Sequence, residues 1–138
     1  MREEDSAYAQ ADVRSCLGVA GAFRMTERNI GVGAYLIGVE LAGLLSDISY
    51  WIEHETIPPD EITIRFHHRL VAIQPFPNGN GRHARLAADL LIERLGGERF
   101  SWGGSTLGDI GEPRARYVAT LRAADNHNIA PLMEFART

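Results

Sequence analysis

From Ala34 to Glu53 the apolar residues Ile37, Leu41, Leu44, Ile48 and Trp51 recur at spacings of three and four, the period of one helical face. A helix of that length with one continuous apolar stripe must lie against a core along its whole length, so the remaining chain has to supply matching faces. His54 to Thr56 end it, and Pro58-Pro59-Asp60 start the next, because a first-turn proline gives up an N–H that would have no partner there. Ile62, Phe66, Leu70 and Ile73 mark the second face. It stops before Pro75, whose ring disfavours helical geometry at Gln74. After a turn, Ala84, Ala87, Ala88, Leu91 and Leu95 give a third face, whose small residues predict close approach to its neighbours and a central position; Gly96-Gly97 close it. Phe100-Ser101-Trp102-Gly103-Gly104 reads as a loop, Glu112-Pro113 opens a helix running to about Ala124, and Pro131 to Ala136 makes a last short one. Residues 3 to 16 read as a weakly amphipathic helix through Ala7, Ala11 and Val13. Between Met25 and Gly33, turn residues interrupt β-formers, and a small hairpin flap is expected over 26–32. The predicted class is all-α.

The chain of 138 residues is read as a single domain, 1–138, with no repeat, linker or low-complexity segment. A formal charge of -4 speaks against nonspecific nucleic-acid or membrane-surface binding, whose affinity comes largely from lysine and arginine. No uninterrupted apolar run approaches the roughly 20 residues that span a bilayer. The acidic start Met1-Arg2-Glu3-Glu4-Asp5 is unlike a signal peptide, and a cytoplasmic setting is expected. Cys16, the single cysteine, has no partner for a disulfide or a cysteine metal site.

Between the second and third faces lies Gln74-Pro75-Phe76-Pro77-Asn78-Gly79-Asn80-Gly81-Arg82-His83-Ala84-Arg85. Gly79 and Gly81 accept positive φ and leave room for a close ligand, so several backbone N–H groups can converge on one anion. A helix starting near Gly81 would add its positive dipole end, with Arg82 and Arg85 one turn apart on the same face. The competing reading is a turn joining two helices, with arginines that are simply solvated. The turn carries no Walker A lysine and follows no strand-borne Gly-x-Gly-x-x-Gly, and no Gly-x-Ser-x-Gly elbow is present. His67 and His68 point about 100° apart on a helix and lack a companion ligand motif, so one packed and one surface histidine is expected rather than zinc.

Pro75-Phe76-Pro77-Asn78-Gly79-Asn80-Gly81-Arg82-His83-Ala84-Arg85 resembles the signature loop of the Fic family, His-Pro-Phe-x-(Asp/Glu)-Gly-Asn-Gly-Arg-x-x-Arg. Phe66-His67-His68-Arg69-Leu70 before it and Phe100-Ser101-Trp102-Gly103 after it resemble the subgroup called mobile mystery protein B. Upstream, Val19-Ala20-Gly21-Ala22-Phe23-Arg24 is similar to the Trp-Ala-Gly-x-(Phe/Tyr)-Arg that precedes the family's β-hairpin flap, with valine replacing tryptophan.

The resemblance implies a Fic-type helical domain with that flap, transferring AMP from ATP to a Ser, Thr or Tyr hydroxyl of a target protein with Mg²⁺ as cofactor. Gly79, Asn80, Gly81, Arg82 and Arg85 would then hold the ATP phosphates, and Thr26, Asn29, Ile30 and Val32 of the flap would bind the target segment. Two positions depart from the family. Gln74 stands where the general-base histidine is expected; an amide cannot accept a proton near neutral pH, and losing such a base costs about 10²- to 10⁴-fold. Asn78 stands where the Mg²⁺-ligating acid is expected and offers only a neutral oxygen. The expectation is an adenylyltransferase that is inactive or strongly impaired; the alternative is a non-catalytic nucleotide- or phosphopeptide-binding module. Ser49-Tyr50-Trp51-Ile52-Glu53-His54 matches only the first part of the family's inhibitory (Ser/Thr)-x-x-x-Glu-(Gly/Asn) pattern, so any inhibitor would be a separate antitoxin-like protein.

Overall fold

A computed structural model describes residues 23–27, 31–104 and 111–138. Among them a 3-10 turn, Ala34–Leu36, leads into α1 (Ile37–His54), followed by α2 (Pro59–Ile73), α3 (Asn80–Arg94), α4 (Gly111–Asp125) and α5 (Ala130–Arg137). The helical expectation is met, with limits at or within one or two residues of the breaks read from the sequence. No strand occurs among the described residues, so the hairpin expected over 26–32 is not seen; Asn29 and Ile30 lie outside them, as does the helix expected over 3–16.

The chain divides into two compact units, one up to Gly97 and one from Glu98 onward. In the first, α2 packs against both α1 and α3. Ile37, Leu41, Leu44, Ile48 and Ile52 of α1 meet Ile62, Phe66, Leu70 and Ile73 of α2, and Ala84, Ala87 and Leu91 of α3 complete the cluster with Phe76. The central helix of this unit is therefore α2 rather than the alanine-rich α3. The alanines act as expected in another respect: Ala84, Ala87 and Ala88 are fully buried, and side chains this small let α3 approach α2 closely. The α1 stripe ends on Ile52, while Trp51 is only half-buried; a spacing of four after Ile48 serves the core as well as three does.

Each break has a local cause. Glu55 closes α1 in the left-handed region at φ 49. Pro58 caps α2 in extended geometry, its carbonyl accepting the Ile62 N–H at 3.0 Å, and Asp60 and Glu61 sit in the first turn where the helix dipole favours them. Arg69 bonds Asp47, tying α2 to α1 at the surface. By length and composition, Ala34–His54 could cross a membrane, which the sequence reading did not anticipate. Its five buried residues line the core of this unit, while the apolar window as a whole is 28% buried.

In the second unit α4 packs on α5. The Ala136 carbonyl accepts the N–H groups of Ser101 and Trp102 at 2.9 and 3.0 Å, and the Arg137 guanidinium lies 4.1 Å over the Phe100 ring.

Candidate functional site

The loop after α2 is built from the end of that helix outward. Gln74 caps α2, its N–H reaching the carbonyls of Leu70 and Val71 at 3.3 and 3.2 Å. Pro75 removes the right-handed option, and Gln74 leaves the helix into the left-handed region at φ 53, ψ 60 rather than into extended geometry. That conformation in a residue other than glycine costs on the order of 1–3 kcal/mol and persists only where its surroundings impose it. Two neighbours do so. Gly31, at φ +90, lies so close that a Cβ there would come within 2.7 Å of the Gln74 Cβ. The buried Arg24 donates from Nε to the Gln74 carbonyl.

Pro75 and Phe76 then turn inward while Pro77 and Asn78 face solvent. The Phe76 ring stands edge-on to His83 of α3 at 4.6 Å and tilts against Phe23 at 5.7 Å. Asn80, the first residue of α3 and 9% exposed, closes the turn: its Oδ1 accepts the Phe76 N–H at 2.9 Å, and its Nδ2 donates to the Phe76 carbonyl at 2.9 Å and to Gln74 Oε1 at 3.1 Å. The other end of the Gln74 amide donates from Nε2 to the Val71 carbonyl at 2.7 Å. Gln74 is thus tied at both ends, and both N–H bonds of the Asn80 amide are used inside the loop, although it had been expected to position phosphates.

Gly79 precedes α3 in the left-handed conformation, φ 70 and ψ 17, and no side chain caps the helix. Its carbonyl takes the His83 N–H at 2.9 Å. The N–H groups of Asn80, Gly81 and Arg82 have no intrahelical acceptor and find none among the described residues. The exposed Arg82 guanidinium folds alongside Gly79, 3.4 Å from where a Cβ on that glycine would lie. Arg85 follows one turn later, half-buried. An uncapped helix start with an arginine over it attracts an anion, each dipole contact contributing about 0.3–1 kcal/mol.

The remaining expected residues divide. Thr26 and Val32 are held through their carbonyls by Arg24, and the Val32 N–H reaches the Ile73 carbonyl at 3.3 Å. Asn78 is exposed at the tip of the turn. The loop from 74 to 85 contains no carboxylate, and no group of three His, Cys, Asp or Glu that could hold a metal ion occurs among the described residues. Asn78 offers one neutral oxygen, a weaker Mg²⁺ ligand than a carboxylate. His67 is packed, as expected, and His68 is half-buried rather than at the surface. Burial holds the His67 ring neutral, its pKa lowered to about 3, with Arg85 and His68 adding to the effect and a hydrogen bond to the Ala84 backbone opposing it. His67 therefore joins α2 to α3 as an uncharged residue. The Ser49–His54 run forms the last part of α1, with Ile52 in the core and Glu53 exposed.

Arg24, Gly31 and the Phe76–His83 contact were not singled out as site features from the sequence. The one available signal was Arg24 at the end of the Ala-Gly-x-Phe-Arg run.

The sequence pattern of the Fic/DOC family matches residues 7–92, more than half of the chain and all of the loop. Protein adenylyltransferase fic-1 of Caenorhabditis elegans is 31% identical over 119 residues, covering 84% of this chain and 22% of that protein. A uridine 5'-monophosphate transferase of Xanthomonas campestris is 35% identical over 60 residues, 38% of this chain and 11% of that one. The solved structure of C. elegans Fic-1, residues 134–508, superposes with a TM-score of 0.61 at 30% identity, covering 86% of this chain and 33% of that one. The chain thus spans about a fifth to a third of the length of these adenylyltransferase relatives.

Proposed function

The chain belongs to the Fic/DOC family, and on that premise we propose that it is the nucleotide-binding part of a protein adenylyltransferase in which transfer is blocked or strongly impaired. One observation carries this reading. The residue at the base position, Gln74, is an amide engaged at both ends, and it stands one turn from an uncapped helix start with Arg82 beside it.

In this reading the N–H groups of Asn80, Gly81 and Arg82 receive the ATP phosphates, and Arg82 and Arg85 offset the charge that grows on the leaving pyrophosphate. Gly79 keeps the approach open, and Asn80 holds the loop in shape from within. The target's Ser, Thr or Tyr hydroxyl would reach Gln74 past the expected flap, whose described ends are Thr26 and Val32. Gln74 can orient the hydroxyl but cannot take its proton, which is worth about 10²- to 10⁴-fold in rate. Mg²⁺ would come with the nucleotide, held chiefly by its phosphates. The flanking runs Phe66-His67-His68-Arg69-Leu70 and Phe100-Ser101-Trp102-Gly103 support the finer placement in the mobile mystery protein B subgroup.

The tied Gln74 amide also supports a second reading, a binding module without chemistry. Calorimetric titration with ATP, UTP, AMP and a phosphopeptide separates these. The adenylyltransferase reading expects ATP to bind and Arg82→Ala to weaken it by about ten-fold. Phosphopeptide binding without nucleotide binding would favour the module, and UTP in preference to ATP would redirect the transferred group.

A further inference from the structure

We propose that Arg24 is the positioning residue of this site, a clasp that fastens the described ends of the flap segment, Thr26 and Val32, to the end of α2 and so sets where Gln74 stands relative to anything bound there. The role of the segment as a docking face rests on the adenylyltransferase reading; the clasp itself does not.

Arg24 is 3% exposed. Among the described residues its partners are all main-chain carbonyls. Nη1 donates to Thr26 at 2.9 Å, Nη2 to Ile73 at 3.1 Å and to Val32, and Nε to Gln74. Its own N–H reaches the Pro75 carbonyl at 2.8 Å. Two of these carbonyls lie on the segment and three at the start of the loop, about fifty positions further along the chain. A flat guanidinium with five N–H groups in a fixed fork can face both sets at once, whereas a lysine ammonium directs three donors from a single atom.

What the clasp fixes is specific to the site. It holds the Gln74 carbonyl while that residue sits at positive φ, and it presses the Cβ-less Gly31 against the Gln74 side chain, with Arg24 Nη2 only 2.9 Å from where a Gly31 Cβ would be. The anion end of the loop has bonds of its own, from Asn80 to both main-chain groups of Phe76, although Asn80 also holds Gln74 Oε1. Loosening Arg24 is therefore expected to misplace the docking segment without dismantling the phosphate cradle.

The test compares Arg24→Lys with Arg24, each in the native chain and with Gln74→His. Amide exchange at Val32 is expected to accelerate by about ten-fold or more while Phe76 stays within about three-fold. ATP affinity should stay within about three-fold, and in the Gln74→His background the transfer rate at saturating ATP should fall by about ten-fold or more, as expected for a misplaced reactant. Equal acceleration at Val32 and Phe76, unchanged exchange at Val32, or undiminished transfer overturns the proposal. If the Gln74→His chain binds no ATP, the adenylyltransferase reading fails and the exchange comparison alone decides the clasp. Should Arg24→Lys not fold, the native protein decides it by NMR. The Arg24 Nε–H is expected to exchange about ten-fold or more slowly than that of exposed Arg82, and equal rates count against the clasp.

Discussion

Asn80 donates through Nδ2 to Oε1 of Gln74 at 3.1 Å, joining the first residue of α3 to the last residue of the α2 cap. The same amide closes on both main-chain groups of Phe76. One side chain therefore shapes the turn from which the α3 N–H groups project and holds the residue at the base position.

Asn80→Ala leaves the buried N–H and carbonyl of Phe76 without these partners. Each such group costs about 1–3 kcal/mol, so thermal unfolding should fall by several degrees. Asn80→Asp keeps the acceptor for the Phe76 N–H but sets an oxygen against the Phe76 carbonyl and Gln74 Oε1, and it should not restore the native midpoint.

Two glycine substitutions should act in opposite directions. At Gly31 an added Cβ meets the Gln74 Cβ at 2.7 Å with the backbone at φ +90, so Gly31→Ala should destabilise by about 1–3 kcal/mol. At Gly38 in α1 a Cβ meets nothing within 4 Å, and Gly38→Ala should stabilise by about 0.5–1 kcal/mol through helix propensity. Denaturant titration of the pair measures both.

His67 gives stability a pH dependence. Its folded pKa is lowered from 6.5 to about 3, so between those values the unfolded chain binds the extra proton. The contribution is fully present above pH 6.5 and is lost as pH falls toward 3, at no more than about 1.4 kcal/mol per unit. Unfolding at pH 7.5 and at pH 5 should differ less for His67→Gln than for the native chain.

The contact between α2 and α3 has no room for larger side chains at Ala84 and Ala87, both fully buried. Ala87→Leu should destabilise by about 1–3 kcal/mol through overpacking. Leu44→Ala in α1 should cost about 2–5 kcal/mol through the void it leaves. Urea unfolding measures both.

Helical period and proline placement made the helices legible because both act within a turn or two of chain: Pro59 starts α2 and Pro75 ends it. The turn was legible at Gly79, whose φ of 70 is read from residue type alone, whereas Gly81, expected to share that freedom, lies inside the first turn of α3 without a positive φ. What the sequence did not reveal acts across long separations. The Arg24 clasp joins residues about fifty positions apart, and no periodicity encodes which carbonyls a buried guanidinium will face. Asn80 fits a phosphate ligand by type, and only the turn of Phe76 back toward it shows its amide used internally. The hairpin expectation relied on β-formers around Val32, whose N–H and carbonyl instead bond Ile73 and Arg24.

The central claim is that this cradle binds ATP while Gln74 withholds the chemistry, and transfer of label from ATP by the native chain and by Gln74→His, side by side at equal ATP occupancy, tests it most directly. The predicted result is equal nucleotide binding with transfer to protein at least about 10²-fold faster in the histidine form. Equal labelling by the native chain would contradict it.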